Sequence, residues 1–240
     1  NCRRDGIEDG AYIGMFGNDG KAEHLKWALT QENVHFERSR TMYAPSGSPG
    51  VRLIDGDRKF VGGPRNTAQH LARIRLTPED LDYIEQYGLC HTSCFSSIEY
   101  ELPEMAKRCQ VSFDFSERID PDYLARVCPY VTYAFFSGSH MTQEEIEALM
   151  DRCHALGTKV VGVTLGSRGS IFSEEGKRYH QGIVPVEAID TMGAGDSFIA
   201  GFLTRRILGD GMEDALRFAA TAAANTCKFH GGFGYPHPLD

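Results

Sequence analysis

The stretch DTMGAGDSF, Asp190 to Phe198, sets three small residues, Gly193, Ala194 and Gly195, directly before a carboxylate, Asp196. Phe198, Ile199, Phe202, Leu203 and Ile207 then recur at helical spacing, which puts the tripeptide at the N-terminus of a buried helix. Free N–H groups and the positive end of the helix dipole converge there. Residues without bulky side chains let an anion approach that backbone, and a phosphoryl group suits the cradle. A carboxylate one residue further on repels a bound anion unless its charge has a use. Two readings of it are open. Asp196 can be the general base that takes the proton of a hydroxyl attacking the phosphoryl group. It can equally be a helix-capping acid behind a glycine-rich turn.

Such a site needs elements to position it, and the middle of the chain supplies an alternation of strands and helices. LCHTS (89–93), VSFDFS (111–116), VTYAFFS (131–137) and KVVGVTL (159–165) are strand candidates, and two of them are apolar nearly throughout, as parallel strands covered on both faces are. Between them, Thr77 and Pro78 open a helix that Gly88 closes. Thr142 and Glu145 form a capping box for a second helix that stops at Gly157, with Ile146, Leu149, Met150, Cys153 and Leu156 on one stripe. This pattern predicts an α/β fold with a mainly parallel sheet, whose ligands bind beyond the carboxyl ends of the strands. Two hairpins stand apart. One covers Val51–Gly63, turning at Asp55-Gly56-Asp57, and falls outside the alternation, as a small β lid does. The other covers Ser170–Val184, turning at Glu175-Gly176-Lys177.

The polar residues at the strand ends are candidates for substrate contact. His91 and Ser93 belong to one strand end and Arg118 follows another. Arg118 can pair with an anion through its guanidinium fork or remain a solvated surface residue, and His91 can touch substrate or be a satisfied buried histidine. The net charge of −8 argues against nucleic acid and anionic membrane surfaces as partners. The seven cysteines form no C-x-x-C pair, which fits scattered reduced thiols in a cytoplasmic protein. No apolar run is long enough to span a bilayer, and no secretory segment is visible. No G-x-x-x-x-G-K-[ST] occurs, so that phosphate loop is excluded.

The full string IDTMGAGDSFIAGFL resembles the C-terminal motif D-T-x-G-A-G-D-x-F of the ribokinase-like, PfkB-type carbohydrate kinases, and every fixed position matches. VTLGSRGS (163–170) resembles that family's nucleotide-binding strand and turn, GMFGNDG (14–20) its early G-x-v-G-x-D-x-x-G segment, and ALRFAATAAA (215–224) its adenine-side helix. The resemblance implies a single ribokinase-like domain over 1–240: a doubly wound, mainly parallel sheet flanked by helices, with a small β lid at about 34–63. It implies ATP-dependent phosphorylation of a sugar hydroxyl with Mg²⁺. By motif position, Asp196 is the base, and the amides of Gly193, Ala194 and Gly195 hold the γ-phosphoryl group. Thr164, Gly166 and Gly169 lie beside the nucleotide, Ala220 near adenine, and Asp190 at a position that binds a monovalent cation such as K⁺. A homodimer through the lid is a further expectation.

Within the family, FDFS and the short chain are most similar to fructoselysine 6-kinases, because Asp114, Ser116 and Arg118 stand where many relatives carry D-x-N-x-R. That implies a sugar-amine substrate phosphorylated on its 6-hydroxyl. Another sugar or a nucleoside is the alternative acceptor, and a non-catalytic sugar- or nucleotide-binding relative the alternative class. Two departures from the family pattern bear on this. Ser137 and His140 occupy the positions of its N-x-x-E motif, with Glu144 and Glu145 nearby as ordinary first-turn acids. The opening strand and G-G-N sugar motif have no counterpart, and Asn1–Gly6 resembles the segment just after them, so the natural protein is expected to be longer.

Overall fold

The computed structural model describes residues 2, 6–54, 57–232 and 234–236, with backbone alone over 52–54 and 57–60. The chain divides into two compact units, one of residues 1–74, 186–200 and 222–240, the other of 75–185 and 201–221. No helix among the described residues is long and apolar enough to cross a membrane.

In the first unit, β1 (Met15–Phe16) leads into α1 (Gly20–Gln31), and β2 (Arg40–Thr41) runs parallel to β1. Asp19 starts α1 by accepting from the Ala22 amide at 3.0 Å, which satisfies one of the otherwise orphaned first-turn donors. Phe16, Ala22 and Leu29 make a small core that Val34 and Phe36 extend. β3 (Gly50–Ile54) and β4 (Asp57–Gly62) form an antiparallel pair that stands as its own sheet. The first expected hairpin is therefore present. Residues 55 and 56 of its expected turn lie outside the described residues. A single helical turn, α2 (Ala68–Leu71), follows.

The second unit carries the strand–helix alternation: α3 (Pro78–Glu85), β5 (Leu89–Ser93), α4 (Leu102–Met105), β6 (Gln110–Ser116), α5 (Pro121–Val127), β7 (Tyr133–Ser137), α6 (Gln143–Ala155), β8 (Val160–Thr164), β9 (Ser170–Glu174) and β10 (Lys177–Gln181). One sheet has the order β10-β9-β8-β7-β6-β5; β5 to β8 are parallel, while β9 and β10 complete it as the second expected hairpin. The capping box expected at Thr142 is formed, and the expected cap at Thr77 is also a capping box, completed by Asp80. β7 starts two residues later than its apolar run, because Cys128–Tyr130 forms a 3₁₀ turn and the chain reaches the sheet only at Tyr133. α3 ends at Glu85 rather than running to Gly88, since Gln86 and Tyr87 close it with i−3 bonds.

The central strands bury both faces. Phe113, Phe115, Phe135, Phe136, Phe172 and Phe202 are all fully buried. Phe115 and Phe136 stack at 4.6 Å, and Phe202 meets both Phe135 and Phe172. Each ring contributes about 1.5–3 kcal/mol through burial, which makes this aromatic layer the main anchor for the strand ends. α7 (Ala194–Ile207) and α8 (Met212–Thr226) follow the sheet, each with residues in both units.

Candidate active site

The tripeptide lies where the sequence puts it, with Ala194 and Gly195 opening α7 and Gly193 just before it. Gly193 has φ +74°, and a Cβ there would stand 2.8 Å from the Gly232 Cα, so only glycine fits. The loop is tied down by Asp190, which is buried. One of its carboxylate oxygens accepts from the Met192 amide at 2.9 Å and the other from the Gly231 amide at 2.7 Å. The Ala194 amide already donates to the Thr191 carbonyl at 3.2 Å. For the amides of Gly193 and Gly195 no acceptor is found among the described residues. Two of the three expected amides are thus available to an anion, while the third serves the turn.

Asp196 sits in the first turn of α7 with an exposed face. The surrounding protein nevertheless displaces enough water to raise its carboxyl above the ordinary Asp value. A less acidic carboxylate holds a transferred proton better, as a general base requires. Behind it, the hydroxyls of Ser197 and Thr226 meet at 2.6 Å in the buried interior, and this fixes the start of the helix.

The second unit holds the residues expected beside the nucleotide. Thr164 ends β8 and its hydroxyl donates to the Phe136 carbonyl at 3.2 Å. The Leu165 amide donates to Gly169 O at 2.8 Å, and the Gly169 amide to Gly166 O at 3.1 Å, so the turn closes on itself. Gly166 (φ +60°) and Gly169 (φ +86°) both lie in the left-handed region, and a Cβ on Gly169 would fall 2.1 Å from Gln181 O. Arg168 reaches across to donate to Ser139 O at 2.8 Å. That contact links this turn to the segment at Ser137 and His140, where the family's N-x-x-E is replaced. Ala220 is buried in α8.

The candidate substrate contacts behave differently from one another. Ser93 ends β5, and its hydroxyl accepts from the Phe95 amide at 3.3 Å, which shapes the turn after the strand. His91 is in the middle of β5 rather than at its carboxyl end; among the described residues β5 is the outermost strand of the sheet, and His91 keeps an exposed face there. Its Nδ1 meets Ser112 Oγ at 2.9 Å, and desolvation by the neighbouring protein pushes its pKa down to about 4, so the ring is neutral at pH 7. Arg118 follows β6 with its guanidinium 4.9 Å from the Tyr123 ring centre.

Some positioning residues were not visible in sequence spacing. Asp19 does more than cap α1: its other carboxylate oxygen accepts from the Ser46 amide at 2.7 Å, and Ser46 Oγ donates to the capping oxygen at 2.6 Å. These bonds hold its pKa below the ordinary Asp value. Gly17 packs against the same segment, where a Cβ would stand 2.5 Å from the Ser46 nitrogen. Gly17 and the acid of GMFGNDG are thereby explained by packing and capping. Glu99 and Tyr123, which flank Arg118, carried no motif signal at all.

Comparison with known proteins identifies the family. The model of the pfkB family carbohydrate kinases matches residues 6–236. Fructosamine kinase FrlD of Bacillus subtilis (strain 168) is 44% identical over 231 residues, covering 96% of this chain and 81% of the relative. Fructoselysine 6-kinase of Escherichia coli (strain K12) is 33% identical over 233 residues, covering 97% and 87%. Among solved structures, Arabidopsis thaliana ribokinase complexed with ribose and ATP superposes with a TM-score of 0.82 at 23% identity, covering 98% of this chain and 81% of that one. A putative ribokinase II from E. coli in complex with ATP and Mg²⁺ gives 0.79 at 22% identity, covering 97% and 81%. The fold is therefore ribokinase-like, and the chain belongs to the pfkB family of carbohydrate kinases.

Proposed function

We propose that this kinase transfers the γ-phosphoryl group of MgATP to the 6-hydroxyl of a fructosamine, with fructoselysine as its substrate. The observation that carries the reading is the α7 N-terminus, where an acid with a raised pKa follows the Gly193 and Gly195 amides, which have no acceptor among the described residues. The likeness to a fructosamine kinase and a fructoselysine 6-kinase supports the choice of sugar.

The residues present fit an anion at this site, since Gly193 and Gly195 add no side chain to the cradle and the α7 dipole favours negative charge. When bound, MgATP supplies the transferable phosphoryl group and the charge neutralisation of its metal ion. Gly193 and Gly195 amides orient that group. Asp196 accepts the proton of the attacking 6-hydroxyl as the new P–O bond forms. Thr164, Gly166, Gly169 and Ala220 are assigned to the nucleotide side, and the β3–β4 hairpin to the lid. Mg²⁺ beside a nucleotide keeps several waters and is held largely by phosphate oxygens. Both oxygens of Asp190 already accept backbone amides, so a monovalent cation such as K⁺ would be held there through their remaining lone pairs.

The enzyme is assigned to the cytoplasm on its seven unpaired cysteines. Its homodimer is assigned to the β3–β4 hairpin, whose outer edges are unpaired among the described residues. A single monomeric species in sedimentation at all concentrations would remove the dimer.

The decisive assay is ADP release from MgATP against fructoselysine, psicoselysine, fructose, ribose, 2-keto-3-deoxygluconate and adenosine. Strong turnover with fructoselysine alone is expected. Turnover with a different acceptor keeps the phosphoryl chemistry and discards the substrate. Nucleotide binding without turnover on any of the six favours a binding module.

A further inference from the structure

The carboxyl ends of β5 and β6 hold a charged pair that the phosphoryl chemistry does not use. Ser116 takes φ +53° at the end of β6, stabilised by Asp114, whose Oδ1 accepts from the Ser116 amide at 2.8 Å. The turn this makes brings Arg118 over the face of Tyr123, at 4.9 Å from the ring centre. The Tyr123 hydroxyl donates to Glu99 Oε1 at 2.9 Å, and that same oxygen lies 4.0 Å from Arg118 Nη1. Glu99 comes from the segment after β5 and Arg118 from the segment after β6, and these two strands are parallel neighbours. In a sheet of this kind ligands gather beyond the carboxyl ends of the strands.

The geometry is poor for stability and good for recognition. A separation of 4.0 Å is longer than a charge-assisted hydrogen bond, which is about 2.7–2.9 Å. A loose, partly exposed pair of this sort adds little to folding. The Arg118 side chain keeps 54% of its exposure, while that of Glu99 keeps 16%. A ring beneath the guanidinium and a hydroxyl on the carboxylate hold the two charges in place, so their orientation is prepared before any ligand arrives.

We infer that Arg118 and Glu99 read the α-amino-acid head of the substrate, the guanidinium taking its α-carboxylate and Glu99 its α-ammonium. Tyr123 is a positioning residue for both. The inference rests on the fructoselysine reading, because fructose or ribose has no such zwitterion to offer. Losing either half leaves one charge facing an unpaired partner, which is how a polar site rejects an analogue.

The test is steady-state kinetics with MgATP on fructoselysine, its α-carboxamide and its Nα-acetyl derivative. The proteins are the wild type, Arg118→Met and Glu99→Gln. For the wild type, KM is expected to rise roughly 10- to 100-fold on each blocked compound with kcat retained, as for binding remote from the reacting hydroxyl. Arg118→Met should raise KM for fructoselysine by a similar factor and become indifferent to the carboxamide. Glu99→Gln should become indifferent to acetylation. KM for ATP should stay unchanged in both. Equal wild-type KM values for the three compounds would overturn the inference. So would discrimination that survives in both variants, or a raised KM for ATP, which would give the pair to the nucleotide. If Arg118→Met does not fold, Arg118→Lys keeps the charge and loses the fork, and is expected to raise KM while still rejecting the carboxamide. Absence of wild-type turnover on fructoselysine alongside turnover on another acceptor strikes the substrate reading, and the inference falls with it.

Discussion

Two glycine-bearing loops in this kinase are held in place by different physical means. In the segment from Asp190 to Asp196, the holding group is an ionised side chain: the two carboxylate oxygens of Asp190 take the amides of Met192 and Gly231. In the segment from Leu165 to Gly169, the holding groups are peptide units, closing the turn through Leu165 N to Gly169 O and Gly169 N to Gly166 O. The first loop therefore answers to charge as well as to shape. The second closes through its own peptide units, and Arg168 ties it to Ser139 O. Asp196, the proposed proton acceptor, follows the loop that the Asp190 carboxylate holds.

The largest effect expected from breaking this contrast is at Asp196. Asp196→Asn should lower kcat by roughly 10²- to 10⁴-fold while nucleotide binding persists, because the amide cannot take the proton of the hydroxyl. Burial raises the Asp196 carboxyl above its ordinary value, so in the wild type the base is ionised above that raised pKa and lost as pH falls through it. The acid limb of kcat should consequently lie above the range of an ordinary aspartate, and it should vanish from the residual activity of the variant. A variant with wild-type turnover would leave Asp196 as a capping acid only.

Next in size are the two glycines with no room for a side chain. A Cβ on Gly169 meets Gln181 O at 2.1 Å and one on Gly193 meets Gly232 Cα at 2.8 Å, backbone in both cases. Either alanine is expected to cost about 1–3 kcal/mol, visible as a lowered thermal midpoint. The kinetic consequences should separate. Gly193→Ala displaces the anion cradle and should cost about 10²-fold in kcat, whereas Gly169→Ala should act on KM for ATP. Identical kinetic profiles for the two would erase the distinction between the loops.

Asp190→Asn probes the charge itself. Asparagine keeps one carbonyl oxygen for the Met192 amide but turns an NH₂ group toward the Gly231 amide, leaving a buried donor unsatisfied. A loss of about 1–3 kcal/mol is expected, read from the denaturant midpoint with an unchanged slope. Wild-type stability in this variant would mean that the carboxylate is not the clamp.

What the sequence made legible follows from how local each signal is. The strand at 89–93 appears with the bounds read from its residues, and the Thr77 cap and the Thr142–Glu145 capping box form because each acts within a single turn. The cradle before α7 was readable for the same reason, since glycines, an acid and an apolar period sit side by side. The Asp190–Gly231 tie spans 41 residues and Tyr123–Glu99 spans 24, and neither has a local mark. Each depends on which segments the fold makes neighbours. Within Leu89–Ser93 only Ser93 stands at the carboxyl end; His91 lies two residues before it, as the bounds of the strand themselves require. The use of the Ala194 amide by Thr191 was equally hidden, because a glycine-rich helix start does not say which donors its own turn consumes.

The smallest expected effect lies within the second loop and sharpens the comparison most finely. Gly166 and Gly169 both have positive φ, but the nearest atom to a Cβ on Gly166 is the Ser139 Cβ at 3.9 Å, an ordinary contact. Gly166→Ala therefore costs only the left-handed backbone, about 1–2 kcal/mol, with no clash to add to it. If steric room decides between the two glycines, Gly166→Ala should be the milder variant in thermal midpoint and Gly169→Ala the harsher. The nucleotide assignment adds a second readout, because Gly166 is exposed on the mouth of the turn. A raised KM for ATP in Gly166→Ala, out of proportion to its small loss of stability, is the result expected if the nucleotide packs against this turn. An unchanged KM would move the nucleotide away from Gly166 while leaving the steric account of Gly169 intact.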